Sequence, residues 1–288
     1  MLPVIHIGPF PFYTFGIVFG LAICAGAYAF GRYFQRHNLP VNLPALCITL
    51  IVAGLLGAKL DNPHLLFAVG GGHFFAAVRE QFLHGGYTYL GCVIAGVAAG
   101  TVYARVNHHP WLKSFDSMFC MGLGYAIGRI GCFLSGDGDY GIPSSLPWAV
   151  SFPHGTVPTL ARVHPTMLYT TLYELLVFAM LWKLSSPRRR SPLPPGSLLG
   201  LYLLLTSTGR FFVEFLSRNP RVAFGLTEAQ IVSLVLACAG AGILAAVTRN
   251  RRLEILHPQA ARGDHTPLRF VSTVVHLPSL HGPHAGKN

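Results

Sequence analysis

Charge is what this chain has least of. Only ten of its 288 residues are Asp or Glu, and 11% are charged in all, against about 25% in an ordinary soluble domain. That scarcity excludes a water-facing surface over most of the chain. Cysteine is sparse as well. The six residues Cys24, Cys47, Cys92, Cys120, Cys132 and Cys238 show no CxxC or metal-ligand spacing, so no metal ion and no cofactor is expected, and they read as small buried hydrophobes. Met1 to Pro9 contains no Lys or Arg. The first apolar run therefore lacks the basic start of a cleavable signal peptide, although Ala25-Gly26-Ala27 would pass as a cleavage site. No internal repeat stands out, which argues against a transporter built from inverted halves.

What is present is apolar length. The chain is 52% hydrophobic, and several runs reach the roughly 20 residues needed to cross a ~30 Å hydrocarbon core. The expected fold is all-α, a polytopic membrane protein with about seven transmembrane helices. The spans are placed at 10–31, 43–68, 87–105, 114–135, 166–184, 196–217 and 227–248, the second interrupted by Lys59, Asp61, Asn62 and Pro63. Residues 1–252 form the membrane domain. Residues 253–288 are rich in His, Pro and Gly without apolar period, and read as a flexible cytoplasmic tail.

The net charge of +11 is then read by position, and a nucleic-acid partner is not expected. Fourteen of the 21 Lys and Arg fall on one set of loops and the tail, and four (Arg79, Arg162, Arg218 and Arg221) on the other. This bias places the N-terminus outside and the C-terminus in the cytoplasm. The remaining three, Lys59, Arg129 and Arg210, lie within spans. At ~1.5 Å per residue all three sit at one depth in the outer half of the bilayer. A charge at that depth costs about 2.5–3.5 kcal/mol on insertion scales and reads as functional. Glu214 follows Arg210 by four residues and shares its helix face. The outer ends of other spans add Gly85-Gly86-Tyr87-Thr88-Tyr89 and His164-Pro165-Thr166.

Arginines at headgroup level suit a phosphate, because the planar guanidinium fork meets phosphate oxygens bidentately. Lateral access from the bilayer would make that phosphate a phospholipid headgroup. Other features carry less. The Gly/Asp run after Arg129 lacks the spacing of an EF-hand calcium loop. Glu174 reads as a helix-pairing group, His164-Pro165 as a helix start, and Arg188-Arg189-Arg190 as a topological anchor.

The motifs resemble the bacterial prolipoprotein diacylglyceryl transferase family. Gly128-Arg129-Ile130-Gly131 through Gly141 looks like its signature loop, and Gly209-Arg210-Phe211-Phe212-Val213-Glu214-Phe215 like its second Arg motif. His164-Pro165-Thr166-Met167-Leu168-Tyr169 matches its His-Pro motif. His6-Ile7-Gly8-Pro9 with Tyr13 and Gly16 resembles its start, and Gly57-Ala58-Lys59 stands where it has Gly-x-Arg. The order holds from about residue 5 to 250. The resemblance implies transfer of diacylglyceryl from phosphatidylglycerol to the lipobox cysteine of a prolipoprotein, at the outer face of the inner membrane, with release of glycerol phosphate. It implies Arg129, Arg210 and Glu214 as catalytic residues, and Arg129, Arg210, Tyr13, Lys59, Tyr89, Asp137, His164 and Tyr169 as substrate-binding.

The chain departs from the family pattern where His-Gly-Gly is usual and Leu90-Gly91-Cys92 stands. Leucine cannot move a proton, and His84, Tyr89 or His164 are the candidate substitutes. Thr170 replaces the usual Glu, Cys132 the usual Asn and Asp137 the usual Glu. The alternative function is a diverged phospholipid-binding relative with lost or altered transfer activity; an anion transporter is a more distant reading.

Overall fold

A computed structural model of the chain describes residues 3–7, 10–60, 89–187 and 193–256. Among them seven helices are 16 residues or longer, each overlapping one expected span: α1 Thr14–Arg36, α2 Leu43–Leu60, α3 Tyr89–Val106, α5 Cys120–Ser135, α6 Thr166–Leu184, α7 Ser197–Glu214 and α8 Glu228–Leu256. The short α4, Trp111–Phe115, leads through a 3-10 turn, Asp116–Phe119, into α5. Among the described residues, four helical stretches are long and apolar enough to cross a membrane: Thr14–Arg36, Leu112–Ser135, Thr166–Leu184 and Glu228–Arg251. The chain divides into two units, residues 1–248 and 249–288.

Helix contacts follow small residues, as expected where lipid removes the hydrophobic drive between helices. α1 lies along α5, where a Cβ added at Gly26 would stand 3.9 Å from Gly124 Cα. α2 packs chiefly on α3, where a Cβ at Gly57 would run into the Gly91 carbonyl. α7 meets α8 at Gly200 and Gly240. The largest buried cluster joins Ala29, Tyr33 and Phe34 of α1 to Phe119, Cys120, Val177, Leu181 and Leu198.

One expectation is corrected in detail. The first span begins at Thr14, not at residue 10, because Phe10–Tyr13 is strand β2, paired antiparallel with β1, Val4–Ile7. Proline at position 11 has no N–H for a helical bond and suits a sheet edge. The fourth expected span runs on through the 3-10 turn at Asp116–Phe119, from Leu112 to Ser135. The second is described only through Leu60; residues 61–68 lie outside the described residues, as do His84, Gly85, Gly86, Arg188 to Arg190 and the tail beyond Leu256.

Two further hairpins cover helix ends. β3, Val150–Phe152, pairs with β4, Thr159–Val163. β5, Arg221–Ala223, pairs with β6, Leu226–Thr227, through Phe224 and Gly225, both at positive φ (51° and 72°), the backbone of a type I′ turn. α5 stops where Gly136 takes the left-handed conformation, φ 61°, and its N–H bonds Cys132 O at 2.9 Å, a left-handed C-cap. The next open carbonyls are filled by the β3–β4 turn: Thr156 N–H donates to Ser135 O at 2.8 Å and Val157 N–H to Gly136 O at 2.9 Å.

The start of α7 is held from a distance. Asp116, 4% exposed, accepts from Gly196 N–H at 2.8 Å and Leu199 N–H at 2.9 Å. These are N-terminal donors with no partner inside the helix, and a carboxylate there also opposes the positive end of the helix dipole. We expect Asp116→Ala to orphan both donors, at about 1–3 kcal/mol each, and to lower the unfolding temperature in detergent. Asp116→Asn, which keeps an acceptor oxygen, is expected to lose less.

Candidate active site

Arg129 projects from α5 two turns before its end, and its side chain is only 9% exposed. A guanidinium buried this deeply needs a counter-charge. Asp139 supplies it through an ion pair with Nη1. The same Nη1 lies 3.8 Å from Cys132 Sγ. Nε of Arg129 is buried and has no hydrogen-bond partner among the described residues, so one donor of the fork remains available.

Asp139 is set by its own loop. Its N–H donates to Asp137 Oδ1 at 3.2 Å, and its carbonyl accepts the Thr166 hydroxyl at 2.5 Å. Thr166 is the first residue of α6, so the loop after Arg129 is tied to the His-Pro-Thr motif. Asp137 bonds Cys132; burial pushes its carboxyl above the ordinary range, and the Cys132 hydrogen bond draws it back. Asp137 therefore organises the loop, and Asp139 is the residue that meets Arg129. Sequence reasoning named Asp137 and missed Asp139. Depth gave no distinction between them; both carboxylates reach back to α5 across the turn at Gly138, φ 96°, Asp137 to Cys132 and Asp139 to Arg129.

Arg210 and Glu214 occupy successive turns of α7, as their spacing of four predicts. Arg210 Nη2 lies 2.9 Å from Glu214 Oε2, an ion pair whose angle falls outside hydrogen-bond geometry. Glu214 is the buried member. Its Oε1 accepts from Ser217 Oγ at 2.9 Å, Asn219 Nδ2 at 2.6 Å and Thr227 Oγ1 at 3.1 Å. Thr227 is also the cap of α8: its hydroxyl accepts Gln230 N–H at 3.2 Å while Gln230 Oε1 accepts Thr227 N–H at 3.0 Å. This is a capping box, and Thr227-x-x-Gln230 was readable in the sequence. Glu214 thereby locks α7 to the start of α8, and Arg210 is left about a third exposed.

The two arginine clusters meet at Gly141. Its N–H donates to His164 O at 2.8 Å, and the next N–H, of Ile142, donates to Leu216 O at 2.8 Å. A Cβ at Gly141 would run into Leu216 O and press on Thr166 Cγ2 and His164 Cβ, 2.9 and 3.0 Å away. Only glycine lets the Arg129 loop, the start of α6 and the end of α7 converge there. Beneath them lies a small core of Cys132, Tyr140, Phe152, Val163 and Met167, with Arg218 stacked over Tyr140 at 5.2 Å.

His164 and Tyr169 are brought together, with His164 Nδ1 3.2 Å from the Tyr169 hydroxyl. Trp148, absent from the sequence-derived candidates, donates Nε1–H to the same hydroxyl at 2.7 Å. Tyr13 caps α1 and is two-thirds exposed. Lys59 is buried on α2, two residues from the Gly57–Gly91 crossing with α3. Tyr89 and Leu90 begin α3, and their side chains lie outside the described residues. Glu174 is buried with a hydrogen bond from Thr206 of α7, the helix-pairing role its position implied. A cavity of about 380 Å³ near Gly31 and Leu43 lies at the opposite end of α1 from Tyr13, away from both arginine clusters.

The family model for prolipoprotein diacylglyceryl transferase matches residues 3–246. The chain belongs to this family. A Gloeobacter violaceus relative is 32% identical over 245 residues, covering 83% of this chain and 89% of its own. One from Symbiobacterium thermophilum is 31% identical over 252 residues, covering 84% and 90%. One from Prochlorococcus marinus is 28% identical over 263 residues, covering 82% and 86%. Each is named a phosphatidylglycerol–prolipoprotein diacylglyceryl transferase. Family membership and apolar helices together make this a multi-pass membrane protein.

Glu214 carries the sharpest local test. Glu214→Ala strips Arg210 of its counter-ion and leaves three donors without an acceptor. We expect a loss of stability on the order of 3 kcal/mol, read as a lower unfolding temperature in detergent. Glu214→Gln, which still accepts, is expected to fall between the two.

Proposed function

We propose that this chain transfers diacylglyceryl from phosphatidylglycerol to the thiol of a lipobox cysteine in a prolipoprotein signal peptide, forming a thioether and releasing glycerol phosphate. The observation that carries the reading is the pair of held arginines, Arg129 and Arg210, pinned to one another's elements at Gly141 inside a chain that belongs to the transferase family.

The chemistry needs three things. The phosphodiester must be held, and Arg129 keeps a buried Nε donor for it while Arg210 is open on one side. The charge growing on the leaving phosphate must be met by donors already in place, which in a low-dielectric site is the largest catalytic term. Both guanidiniums are fixed before substrate arrives, Arg129 by Asp139 and Arg210 by Glu214. Finally the thiol must lose its proton, since the thiolate is the nucleophile. Tyr13, Lys59, Tyr89, Asp137, His164 and Tyr169 complete the substrate-binding set in this reading. Its partners are phosphatidylglycerol, the surrounding membrane lipids and the prolipoprotein; no metal or cofactor takes part.

We place the enzyme in the inner membrane with seven spans, residues 1–252 forming the membrane domain and 253–288 a cytoplasmic tail. The fourteen-to-four division of basic residues supports an N-terminus outside. The substrate-binding end then faces the outer leaflet, where an exported lipobox presents its cysteine.

The test is depletion and rescue. Cells emptied of their own transferase should recover lipidated lipoprotein when this chain is expressed. Arg129→Lys and Arg210→Lys should each lower rescue by tenfold or more, on the order of 10²-fold for a lost transition-state donor, because Lys keeps the charge but not the planar fork. Failure of the wild type to restore lipidation, with the protein stably inserted, would contradict the proposal.

A further inference from the structure

Thiol transfer leaves a proton to be placed, and position 90 carries leucine. The hydrogen bonds around Tyr169 assign a direction to a proton path. Indole Nε1–H is a donor only, so in the 2.7 Å contact Trp148 gives and the Tyr169 oxygen receives. The Tyr169 hydroxyl still has its own proton to donate, and His164 Nδ1 lies 3.2 Å away. With Nδ1 as the acceptor, the ring N–H sits on Nε2.

Resting on the transferase reading above, we propose that Tyr169 is the catalytic base for the acceptor thiol, with His164 as the positioning residue that takes the phenolic proton and Trp148 holding the phenolic oxygen. As the thiol S–H proton passes to the Tyr169 oxygen, the Tyr169 O–H proton passes to His164 Nδ1. The thiolate electron pair forms the S–C bond to the glyceryl carbon. The C–O bond to phosphate breaks, and its electron pair leaves with glycerol phosphate. The imidazolium then returns its extra proton to the leaving phosphate or to water. Trp148 N–H meets the negative charge that develops on the phenolic oxygen between the two transfers.

The placement supports this. Tyr169 stands three residues after Thr166 on α6, hence on the same helix face, and Thr166 is bonded to the residue that pairs with Arg129. His164 packs against Gly141, where the two arginine clusters converge. Trp148 is 55% exposed, so the chain of groups opens on the surface. Its turn is braced: the Arg162 guanidinium donates to the carbonyls of Leu146, Pro147 and Ala149. The other charged groups on the surrounding elements are engaged, Asp139 with Arg129 and Glu214 with Arg210, while Arg218 lies over Tyr140.

The experiment uses the purified full chain in lipid nanodiscs with phosphatidylglycerol and a lipobox peptide. Rates are followed from pH 6 to 10 for the wild type, Tyr169→Phe and His164→Asn, the last keeping an acceptor that cannot hold the proton. Each variant should lose on the order of 10²-fold in kcat near pH 7 with the KM for phosphatidylglycerol unchanged. The loss should shrink to within about tenfold as pH rises through the thiol's own ionisation near 8.5, because a thiol already ionised needs no base. Histidine-selective ¹⁵N spectra of the wild type, assigned by the missing resonance in His164→Asn, should show a bare, hydrogen-bonded Nδ1 and a protonated Nε2. A loss of equal size at every pH, a change in KM alone, or a protonated Nδ1 overturns the inference. A wild type that transfers while Tyr169→Phe is unimpaired overturns it and leaves the transferase reading intact. A wild type without transfer overturns both.

Discussion

A guanidinium cannot lie bare among apolar helices, and the structure is arranged around that constraint at Arg129. The ion pair with Asp139 satisfies one end of the fork, and it fixes where the following loop must go. The loop carries a hydrogen bond to Thr166 and so sets the start of α6. Gly141 brings the end of α7 into the same place. Arg129 is the enclosed member of the pair and Asp139 the half-exposed one, and the buried Nε of Arg129 keeps a hydrogen bond to give.

Arg210 is held by a different device. One oxygen of its carboxylate partner accepts from Ser217, Asn219 and the Thr227 hydroxyl, and Thr227 also caps α8. One acid thus orients Arg210, closes the turn after α7 and starts the last helix. Glu214, buried and paired with Arg210, keeps that guanidinium aimed while its exposed side remains open. The two arginines differ accordingly: one is enclosed with a spare donor, the other accessible with a fixed orientation.

Much of this was legible in the residues. Apolar length gave the helices, the four-residue spacing gave the Arg210–Glu214 pair, and family motifs gave the grouping of Arg129, His164 and Tyr169. The order of charges along a helix is enough for a pair on one face, because helical geometry is fixed. The rest depended on loops. Asp137 and Asp139 are equivalent by depth and chemistry, and only the folded loop shows Asp139 on Arg129 and Asp137 on Cys132. Trp148 is 21 residues from Tyr169 and reaches it only because β3 pairs with β4 and Arg162 folds the preceding turn. The entry into α1 was misplaced for a related reason: Phe10–Tyr13 is as apolar as the helix that follows, and hydropathy does not distinguish a hairpin strand from a helix turn.

The central claim is that Arg129 and Arg210 serve one phosphate. Solid-state NMR of the protein in phosphatidylglycerol bilayers, with ¹⁵N in the arginine side chains and the natural ³¹P of the lipid, measures this directly. The account predicts ³¹P dephasing of two guanidinium signals, one absent in Arg129→Lys and the other in Arg210→Lys, both attenuated when phosphatidylglycerol is replaced by phosphatidylcholine. Dephasing of neither residue, or of one only, in the presence of phosphatidylglycerol would contradict it.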